Sequence, residues 1–413
     1  MSVQRGKDLQ SGVTRLVVYL TVAVFVLGFF LIKPSSFFGD EGFHIDQVNR
    51  FLRFQWTMSG SLTMLPGYHA LIALFSWPLG IRPDELNGMR IVNIFFSILS
   101  IIAFAGALKA VNPQAGAMRV IQYSFFPILF PFFFLLYTDV TAVGLALFTM
   151  WAVARKRPFT AAAISLLSIV VRQNNIIWVA FFGLWMLRDV WMNTRVRTPK
   201  NLLRESWPIF VAFGAVFALF GAFVLWNGGI AVGDRGAHPG GFHVGNVYFG
   251  LLLSAGLLLP VHVFQAKDLA KRLLSSWTIA VLCALAAVYF MFFINNHGYN
   301  QGWDSAFFRN RILTYMVSTE ARKAMMLIPI LLSAVSFACT RFAANSKIPL
   351  AIFSVLSLIP FWLIEQRYLL IPYAFFLLFR EERTPWQEEV ITLFSVAATI
   401  ALFIPIFQRT FFL

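Results

Sequence analysis

"RIVNIFFSILSIIAFAGAL" occupies residues 90–108 and carries one charged side chain, at its first position. As a helix, a run of this length spans about 30 Å, the thickness of the hydrocarbon core of a bilayer. This pattern predicts a protein that crosses a membrane many times, because further apolar segments recur at about 14–32, 66–80, 119–137, 139–154, 159–171, 174–187, 207–226, 246–265, 276–294, 324–340, 349–364, 368–379 and 390–407.

The composition points the same way. Of the 413 residues, 59% are hydrophobic and 12% are charged, whereas a soluble domain carries about 25% charged residues. So few polar side chains cannot cover a soluble fold of this size, and the continuous apolar runs lack the alternation of a transmembrane barrel. We therefore expect an all-α fold, a polytopic integral membrane helical bundle with about 11–14 membrane segments. Residues 1–413 are expected to form a single transmembrane domain.

The basic residues indicate sidedness. The formal net charge is +15, and Lys or Arg in short loops marks the cytoplasmic side, so we interpret the clusters as topology rather than as contact with nucleic acid. The inner side is predicted for the clusters at 1–15, 154–158, 188–204, 267–272, 341–347 and 380–383. The outward side is then predicted for 33–65, 227–245, 295–322 and 365–368, and 33–65 is the first outward loop.

Two stretches disturb the alternation of sides. The stretch 66–80 is short and interrupted by Pro78, and the basic clusters are consistent only if one segment before residue 155 does not cross. We expect 66–80 to dip into the membrane or lie along its surface. The stretch 159–187 carries "RQNN" at 172–175. We expect two arms that meet at a polar outward tip, because Arg172 in lipid would cost several kcal/mol.

The first outward loop carries an acidic cluster. "FFGDEGFHIDQVNR" (37–50) places Asp40, Glu41, His44 and Asp46 directly after the first predicted span. Carboxylates there can take a proton from a substrate. The same residues also fit a solvated loop or a divalent metal site. Because no HExxH-type spacing supports a metal, the sequence predicts neither a metal nor another cofactor.

Arginines near apolar arms form a second group of candidates. Arg172 and Arg367 each need an anionic partner. A guanidinium binds phosphate through parallel hydrogen bonds, so a phosphate is one candidate; Asp139 for Arg172 and Glu365 for Arg367 are the alternatives within the protein. The other unusual polar residues predicted on this side are Tyr137, Asp139, Gln173, Asn175, Arg235 and His238.

These motifs together resemble a known family, the dolichyl-phosphate-glucose-dependent alpha-1,2-glucosyltransferases. That family adds the last glucose to the lipid-linked oligosaccharide used in protein N-glycosylation. The resemblance is carried, in chain order, by "DEGFHIDQVNRF", "TMLPGY", "RIVN", "FPFFFLLYTD", "RQNNIIWV", "VGDRGAHPGGFH" and "RYLLIPY".

The resemblance implies a membrane fold of the GT-C type, a polyprenyl (dolichyl) phosphate-glucose donor and a glycan or lipid-linked oligosaccharide acceptor. It implies that Asp40 is the base, with Glu41 beside it to orient the acceptor or hold Asp40. The donor phosphate would bind Arg172 and Arg367, with His44, Arg235 and His238 as secondary partners. Contacts to sugar or acceptor would come from Asp46, Tyr137, Asp139, Gln173 and Asn175.

Departures from the family leave some points open. "QWTMSGS" (55–61) stands where the family usually has Trp-Asp-Pro, and the late motif is reduced to "HGYNQGWDSAFFRNR" (297–311). These differences indicate a distant, shorter homologue and leave a bacterial source open. The site is expected in the lumen of the endoplasmic reticulum in a eukaryote, or outside the cytoplasmic membrane in a bacterium. The alternatives are a GT-C enzyme for another polyprenyl-phosphate sugar, such as mannose, and a lipid-linked sugar transporter or flippase.

Overall fold

The computed structural model describes residue 19 and residues 22–194, 198–237, 239–301 and 310–410. Helices joined by loops make up this part of the chain, with one isolated β-bridge between Phe342 and Arg380, so the predicted all-α class is confirmed. The helices are α1 (Val22–Ile32), α2 (Glu41–Leu52), α3 (Gly67–Ser76), α4 (Leu86–Val111), α5 (Ala117–Ser124), α6 (Thr138–Ala154), α7 (Pro158–Val171), α8 (Ile176–Asn193), α9 (Pro199–Asn227), α10 (Gly245–Leu257), α11 (Leu259–Phe264), α12 (Ala266–Leu273), α13 (Ser276–Phe292), α14 (Arg311–Val317), α15 (Glu320–Cys339), α16 (Lys347–Leu358), α17 (Leu370–Phe379) and α18 (Pro385–Phe407).

Helix lengths agree with a polytopic membrane protein. Among the described residues, five helices are long and apolar enough to cross a bilayer, namely α4, α8 with the turn before it, α9, α15 and α18. α12 and α13 meet at 90°, as in a broken span or a re-entrant loop. The apolar helices α1, α6, α7, α10, α16 and α17 are shorter. Several predicted segments are therefore short or broken helices rather than simple spans.

Local sequence explains where the long helices begin and end. The side chain of Thr198 accepts a hydrogen bond from the Asn201 N–H at the start of α9, and Pro199 occupies the first helical position, where a missing N–H costs nothing. Gly228 ends α9 with a φ of +70°, in the left-handed region that glycine tolerates. Thr319 caps α15 in the same way, through the Arg322 N–H. These signals fix where α9 begins and ends and where α15 begins.

A phenylalanine-rich segment, 125–137, runs through the core without forming a regular α-helix. Its free carbonyls need partners within the protein, because hydrocarbon offers none. The Asn93 side chain of α4 donates to the carbonyls of Phe132 and Phe133, at 3.1 and 3.3 Å. The Ser97 hydroxyl donates to the Phe133 carbonyl at 3.0 Å. α4 therefore fixes this segment, which leads into Tyr137 and Asp139.

The segment 66–80 is tied to α2 near its start and just after its end. After it, Asp84 and Asn49 of α2 exchange two hydrogen bonds, of 2.6 and 2.8 Å. Within it, His69 of α3 lies 2.9 Å from His44 of α2, measured between ring nitrogens. Both contacts lead to α2, and the expectation that 66–80 does not cross the membrane stays a prediction.

The bundle has two ends that both contain buried charge. At the end that we call the site end, Arg90 in the N-terminal part of α4 is bonded to Glu41. At the opposite end, α4 is followed by Asn112, which donates to the Arg380 carbonyl at 3.0 Å. Arg380 and Arg119 both pair there with Glu388. Glu41 and the predicted residues near it therefore lie at the site end, whereas the opposite end carries a separate ionic cluster.

Candidate active site

Asp40 lies at the turn that starts α2. Its backbone N–H donates to the Tyr137 hydroxyl at 2.7 Å, and that hydroxyl donates to the Phe38 carbonyl at 2.9 Å. The Asp40 side chain makes no capping bond with its own helix and instead pairs with Arg367 at 3.0 Å. Tyr137 therefore holds the turn, and the Asp40 carboxylate points towards a residue that is distant in sequence.

Glu41 lies in a different environment from its neighbour. Its carboxylate has no exposed surface and accepts hydrogen bonds from Nη2 and Nε of Arg90, at 2.6 and 3.0 Å. The backbone N–H groups of Phe38 and Leu136 each donate to it at 2.8 Å. Arg90 in turn donates to the carbonyls of Ile32, Ser35 and Ser36. These contacts favour the interpretation in which Glu41 holds Asp40 rather than contacts the acceptor.

Arg367 lies in the short 3-10 helix Gln366–Leu369, after the loop that follows α16. Its Nε donates to Glu365 at 2.5 Å, its Nη1 pairs with Asp40, and its guanidinium lies 5.3 Å from the Tyr137 ring centroid. Burial raises the pKa of the Glu365 carboxyl above its ordinary value, while the neighbouring Arg367 opposes that shift. The protein partner expected for Arg367 is thus present, together with Asp40.

Arg172 occupies the break between α7 and α8, followed by the 3-10 turn Gln173–Asn175. The predicted pair of arms with a polar break is therefore confirmed, and the outward position of the break stays a prediction. Arg172 forms an ion pair with Asp139, the first-turn carboxylate of α6, and lies over the Tyr368 ring at 5.7 Å. The structure thus provides a protein partner for this arginine too, and both arginines keep about one seventh of their side chains exposed, 14% and 15%.

A cleft runs between these residues and the helices behind them. Two carboxylate oxygens beside the arginines, Oδ2 of Asp139 and Oε2 of Glu365, are buried and accept no hydrogen bond from any group that the structure describes. The walls combine charged and apolar side chains, so the cleft suits an amphipathic ligand. It is lined by Asp139, Ala142, Val143, Arg172, Asn174, Asn175, Trp178, Ser357, Phe361, Arg367, Tyr368, Leu370 and Ile371.

His44 is buried beneath the cluster. Its Nδ1 lies 2.9 Å from Nε2 of His69, the two rings stack, and the Tyr137 ring meets His44 edge-on. Burial, with the positive charges of Arg367 and Arg172, lowers the pKa of His44 to about 3. His44 is therefore neutral at ordinary pH, which weakens the expectation that it acts as a cation towards phosphate.

The remaining predicted residues occupy varied positions. Asp46 pairs with Arg50 one helical turn away, at 3.2 Å. The Gln173 side chain bonds with the backbone of Thr63 and Leu65. Asn175 lines the cleft and donates to the Ser168 hydroxyl.

Arg235 and His238 complete the predicted set. Arg235 donates to the carbonyl and side-chain oxygens of Asn227, at 2.5 and 2.8 Å, at the C-terminal end of α9. This contact ties Arg235 to α9, and Arg235 does not belong to the lining of the cleft. His238 lies outside the described residues.

The acidic side chains of the first outward loop do not converge as ligands of a metal ion would. Asp40 faces Arg367, Glu41 faces Arg90, His44 faces His69 and Asp46 faces Arg50. Across the residues that the structure describes, no three His, Cys, Asp or Glu side chains come together as they would around a metal ion. The four side chains instead have four separate partners.

Sequence reasoning did not single out Arg90, Tyr368 and Trp178. Arg90 opens the apolar run 90–108, and an arginine next to a membrane span signals a buried partner, so its position could have drawn attention. Tyr368 and Trp178 stood inside quoted motifs, "RYLLIPY" and "RQNNIIWV", but aromatic residues are common in such runs. Only the fold brings these two rings to the same cleft.

Comparison with known proteins agrees with this picture. A relative from Drosophila melanogaster, named "Dol-P-Glc:Glc(2)Man(9)GlcNAc(2)-PP-Dol alpha-1,2-glucosyltransferase", is 26% identical over 92% of this chain and 91% of its own length. Relatives of the same name from Mus musculus (24% identical, 82% of each chain) and Homo sapiens (23% identical, 67% of this chain and 71% of the relative) are also similar. No solved structure matches the chain. The model of the DIE2/ALG10 family matches residues 34–206 and 186–378, and the chain belongs to that family.

Proposed function

We propose that this protein is an inverting membrane glucosyltransferase. It takes glucose from a polyprenyl-phosphate glucose, such as the dolichyl form, and joins it in an alpha-1,2 linkage to a glycan acceptor such as a lipid-linked oligosaccharide. The names of the relatives specify a donor and an acceptor of this kind. The observation that carries the proposal is the cleft at the site end, where Arg172, Arg367 and Asp139 lie beside an apolar wall. Asp40 and Glu365 do not line the cleft, but both pair with Arg367 at its edge.

Each part of the donor has a chemical counterpart among the residues in and beside this cleft. Its phosphate binds Arg172 and Arg367, because a guanidinium presents two N–H groups in the geometry of phosphate oxygens. The first isoprene units lie against the apolar lining that Trp178, Leu370 and Ile371 contribute. The glucose hydroxyls donate to Oδ2 of Asp139 and Oε2 of Glu365, which accept no bond from the described protein groups. Such oxygens, when buried, gain from a ligand that supplies donors.

The reaction needs a base and a stabilised leaving group. The acceptor hydroxyl loses its proton to the Asp40 carboxylate while its oxygen forms a bond with the anomeric carbon of glucose. The bond between that carbon and the phosphate oxygen breaks, and its electron pair leaves with the polyprenyl phosphate. Arg172 and Arg367 stabilise the charge that develops there. Attack from the opposite face turns a beta-linked donor into an alpha-linked product.

Glu41 acts on this chemistry indirectly. With Arg90 it fixes the loop from Ile32 to Ser36 against the start of α2. Tyr137 fixes the backbone of Asp40 from the other side. A base must be held within hydrogen-bond reach of the proton that it removes, and these two anchors supply that precision. We therefore describe Glu41, Arg90 and Tyr137 as positioning residues.

The test uses purified protein in detergent, where no gradient exists. A panel of polyprenyl-phosphate sugars, including glucose and mannose, is offered with a lipid-linked Glc(2)Man(9)GlcNAc(2) acceptor, and the product is identified by mass. We expect transfer of one hexose from the glucose donor. Transfer from the mannose donor alone would support the proposed transfer reaction but would show that the donor sugar is mannose rather than glucose. Failure to transfer from any donor, together with movement of a lipid-linked sugar across vesicles, would replace the enzyme by a transporter.

We also propose that the site end faces away from the cytoplasm, in the endoplasmic reticulum lumen or outside a bacterial inner membrane. The basic residues Arg188, Arg341 and Arg380, whose contacts bring 188, 341–344 and 380–381 together at the opposite end, support this orientation. Single cysteines at Asp234 and Asn193 are introduced into a variant that lacks Cys283 and Cys339. We expect an impermeant thiol reagent added outside to label the first position and not the second. The reverse labelling would invert the orientation.

A further inference from the structure

A second cleft lies next to the candidate active site, on the other face of one loop. Phe361 and Arg367 line the active-site cleft, whereas Trp362, from the same loop, lines the second. The second cleft has no charged side chain among its described lining residues. It is lined by Pro239, Gly240, Phe242, His243, Val244, Gly245, Phe292, Ile294, Asn296 and Trp362.

Trp362 is the centre of an aromatic surface in this cleft. The His243 ring stacks on it at 6.2 Å between centroids with an interplanar angle of 16°, and the His297 ring meets it edge-on at 4.8 Å. The Trp362 indole N–H donates to the Asn296 side-chain oxygen at 2.6 Å. Phe242 adds a ring that is 71% exposed. The ring planes are thus set by neighbouring side chains before any ligand arrives.

The loop that carries Trp362 is firmly anchored. The Asn246 side chain donates to the carbonyls of Phe361 and Leu363 and accepts from the Glu365 N–H. The Asn300 side chain bonds with both the N–H and the carbonyl of Ile364. On the far side of the loop, Phe361 stacks on Tyr368 at 3.9 Å, in the wall of the active-site cleft. The two clefts therefore share one rigid wall.

We propose that the second cleft binds the glycan part of the acceptor. Aromatic faces pack against the C–H faces of pyranose rings, and sites of this kind add a few polar groups that fix orientation. Asn296 and His243 are the polar side chains that can exchange hydrogen bonds with sugar hydroxyls. The inference rests on the proposed function, because it assigns the partner of the same reaction.

The chemistry of the lining favours a neutral glycan over other parts of the substrates. A phosphate or diphosphate would find no cation among the lining residues. A polyprenyl chain could pack against Phe292 and Ile294, but it offers no hydrogen bond to the side-chain N–H₂ group of Asn296 or to the imidazole of His243. A chain of uncharged sugars matches both the rings and the polar groups.

The experiment compares Trp362→Ala with Trp277→Ala in the purified full-length protein. Trp277 is a matched control, because it is 76% exposed and lies at the other end of α13 from Phe292. With polyprenyl-phosphate glucose and lipid-linked Glc(2)Man(9)GlcNAc(2), we expect Trp362→Ala to raise the acceptor KM about tenfold, with kcat and donor KM little changed. Trp362→Phe should recover most of the loss, and Trp277→Ala should behave like the wild type.

Binding of the free Glc(2)Man(9)GlcNAc(2) oligosaccharide, followed by saturation-transfer NMR, gives a readout that does not need transfer. We expect saturation-transfer signals with the wild type and with Trp277→Ala, and weaker signals with Trp362→Ala. If Trp362→Ala does not fold, His243→Ala takes its place. Wild-type transfer with an unchanged acceptor KM in the cleft variants would overturn the inference. Glycan binding without transfer by the wild type would instead count against the proposed function and leave the cleft assignment standing.

Discussion

Asp40 and Glu41 are neighbours in the chain, yet their carboxylates lie in different environments. Glu41 has no exposed surface, and its two oxygens accept hydrogen bonds from Arg90, Phe38 and Leu136. The Asp40 side chain is 45% exposed and has one ion pair, with Arg367. We call the Glu41–Arg90 pair the closed pair. The open cluster consists of Asp40, Asp139, Arg172, Glu365 and Arg367.

The arginines differ in the same way. Arg90 is completely buried and surrounded by carbonyl oxygens, whereas Arg172 and Arg367 border a cleft and keep some exposure. Buried polar groups in native proteins are normally satisfied, and the closed pair follows that rule. The open cluster departs from it at Asp139 and Glu365. We infer that incomplete satisfaction beside a cleft, rather than charge alone, identifies the residues that can face a ligand.

The largest effect is expected from Asp40→Asn in the open cluster. The amide keeps the size of the side chain but cannot accept the acceptor's proton, so the transfer rate should fall about 10²–10⁴-fold. Thermal stability in detergent and donor binding should stay close to those of the wild type. Asp46→Asn is the matched control, since Asp46 lies on the helix that follows Asp40 and pairs with Arg50 in a partly buried contact. Near-normal turnover by Asp40→Asn would move the base to Asp139 or Glu365.

The closed pair should respond through stability instead. Glu41→Gln leaves the Arg90 guanidinium buried without a counter-charge, and breaking a buried pair in this way costs about 3–5 kcal/mol. We expect a lower melting temperature and a lower yield of folded protein, measured by thermal unfolding of the purified protein. If a Glu41→Gln variant melts like the wild type but transfers no sugar, Glu41 takes a direct part in catalysis. The closed pair would then not differ in function from the open cluster.

The sequence predicted the fold class and much of the open cluster, because both depend on local signals. Long apolar runs predict membrane helices, and Arg172 between apolar arms indicates a polar tip, which the break between α7 and α8 confirms. The partners proposed for both arginines, Asp139 and Glu365, are in contact with them. The additional pairing of Arg367 with Asp40 joins residues more than three hundred positions apart, and no local pattern encodes such a contact.

The division between the closed pair and the open cluster could not be predicted either. Asp40 and Glu41 both lie in a charged loop, and which one turns inward depends on where Arg90 and the segment 125–137 pack. Arg235 illustrates the same limit. It was expected as a secondary partner of the donor phosphate, but its guanidinium bonds to Asn227 at the end of α9. Sequence identifies charged residues near a membrane face, whereas the packing of helices decides which of them meet.

Substitution by lysine should sharpen the assignment of the two open arginines. Arg172→Lys and Arg367→Lys keep a positive charge but lose the planar pair of donors. Donor affinity should weaken by about 1–3 kcal/mol for each charged hydrogen bond lost, and acceptor KM should change little. Titration with polyprenyl-phosphate glucose under single-turnover conditions measures this, with Arg50→Lys as the control. Unchanged donor affinity with a lower melting temperature would place both arginines with the closed pair, as groups that hold helices together.

The smallest effect concerns His44, which lies between the two clusters and contacts His69, Tyr68 and Tyr137, with Arg172 and Arg367 nearby. Its pKa is about 3 in the folded protein and about 6.5 in an unfolded chain. Between these values the unfolded state binds more protons, so stability is complete above pH 6.5 and falls as the pH drops towards 3. At pH 5.5 the loss from this group is about 1.4 kcal/mol.

His44→Gln removes the titrating group and keeps a side chain that can donate to His69. Melting temperatures measured between pH 7.5 and 5 should therefore fall less steeply in this variant than in the wild type, while the transfer rate at pH 7.5 should change far less than in Asp40→Asn. An identical pH slope in the two proteins would mean that His44 is not shielded from water by α2 and α3. In that case His44 would belong with the open cluster, as a residue that can carry a charge next to the donor phosphate.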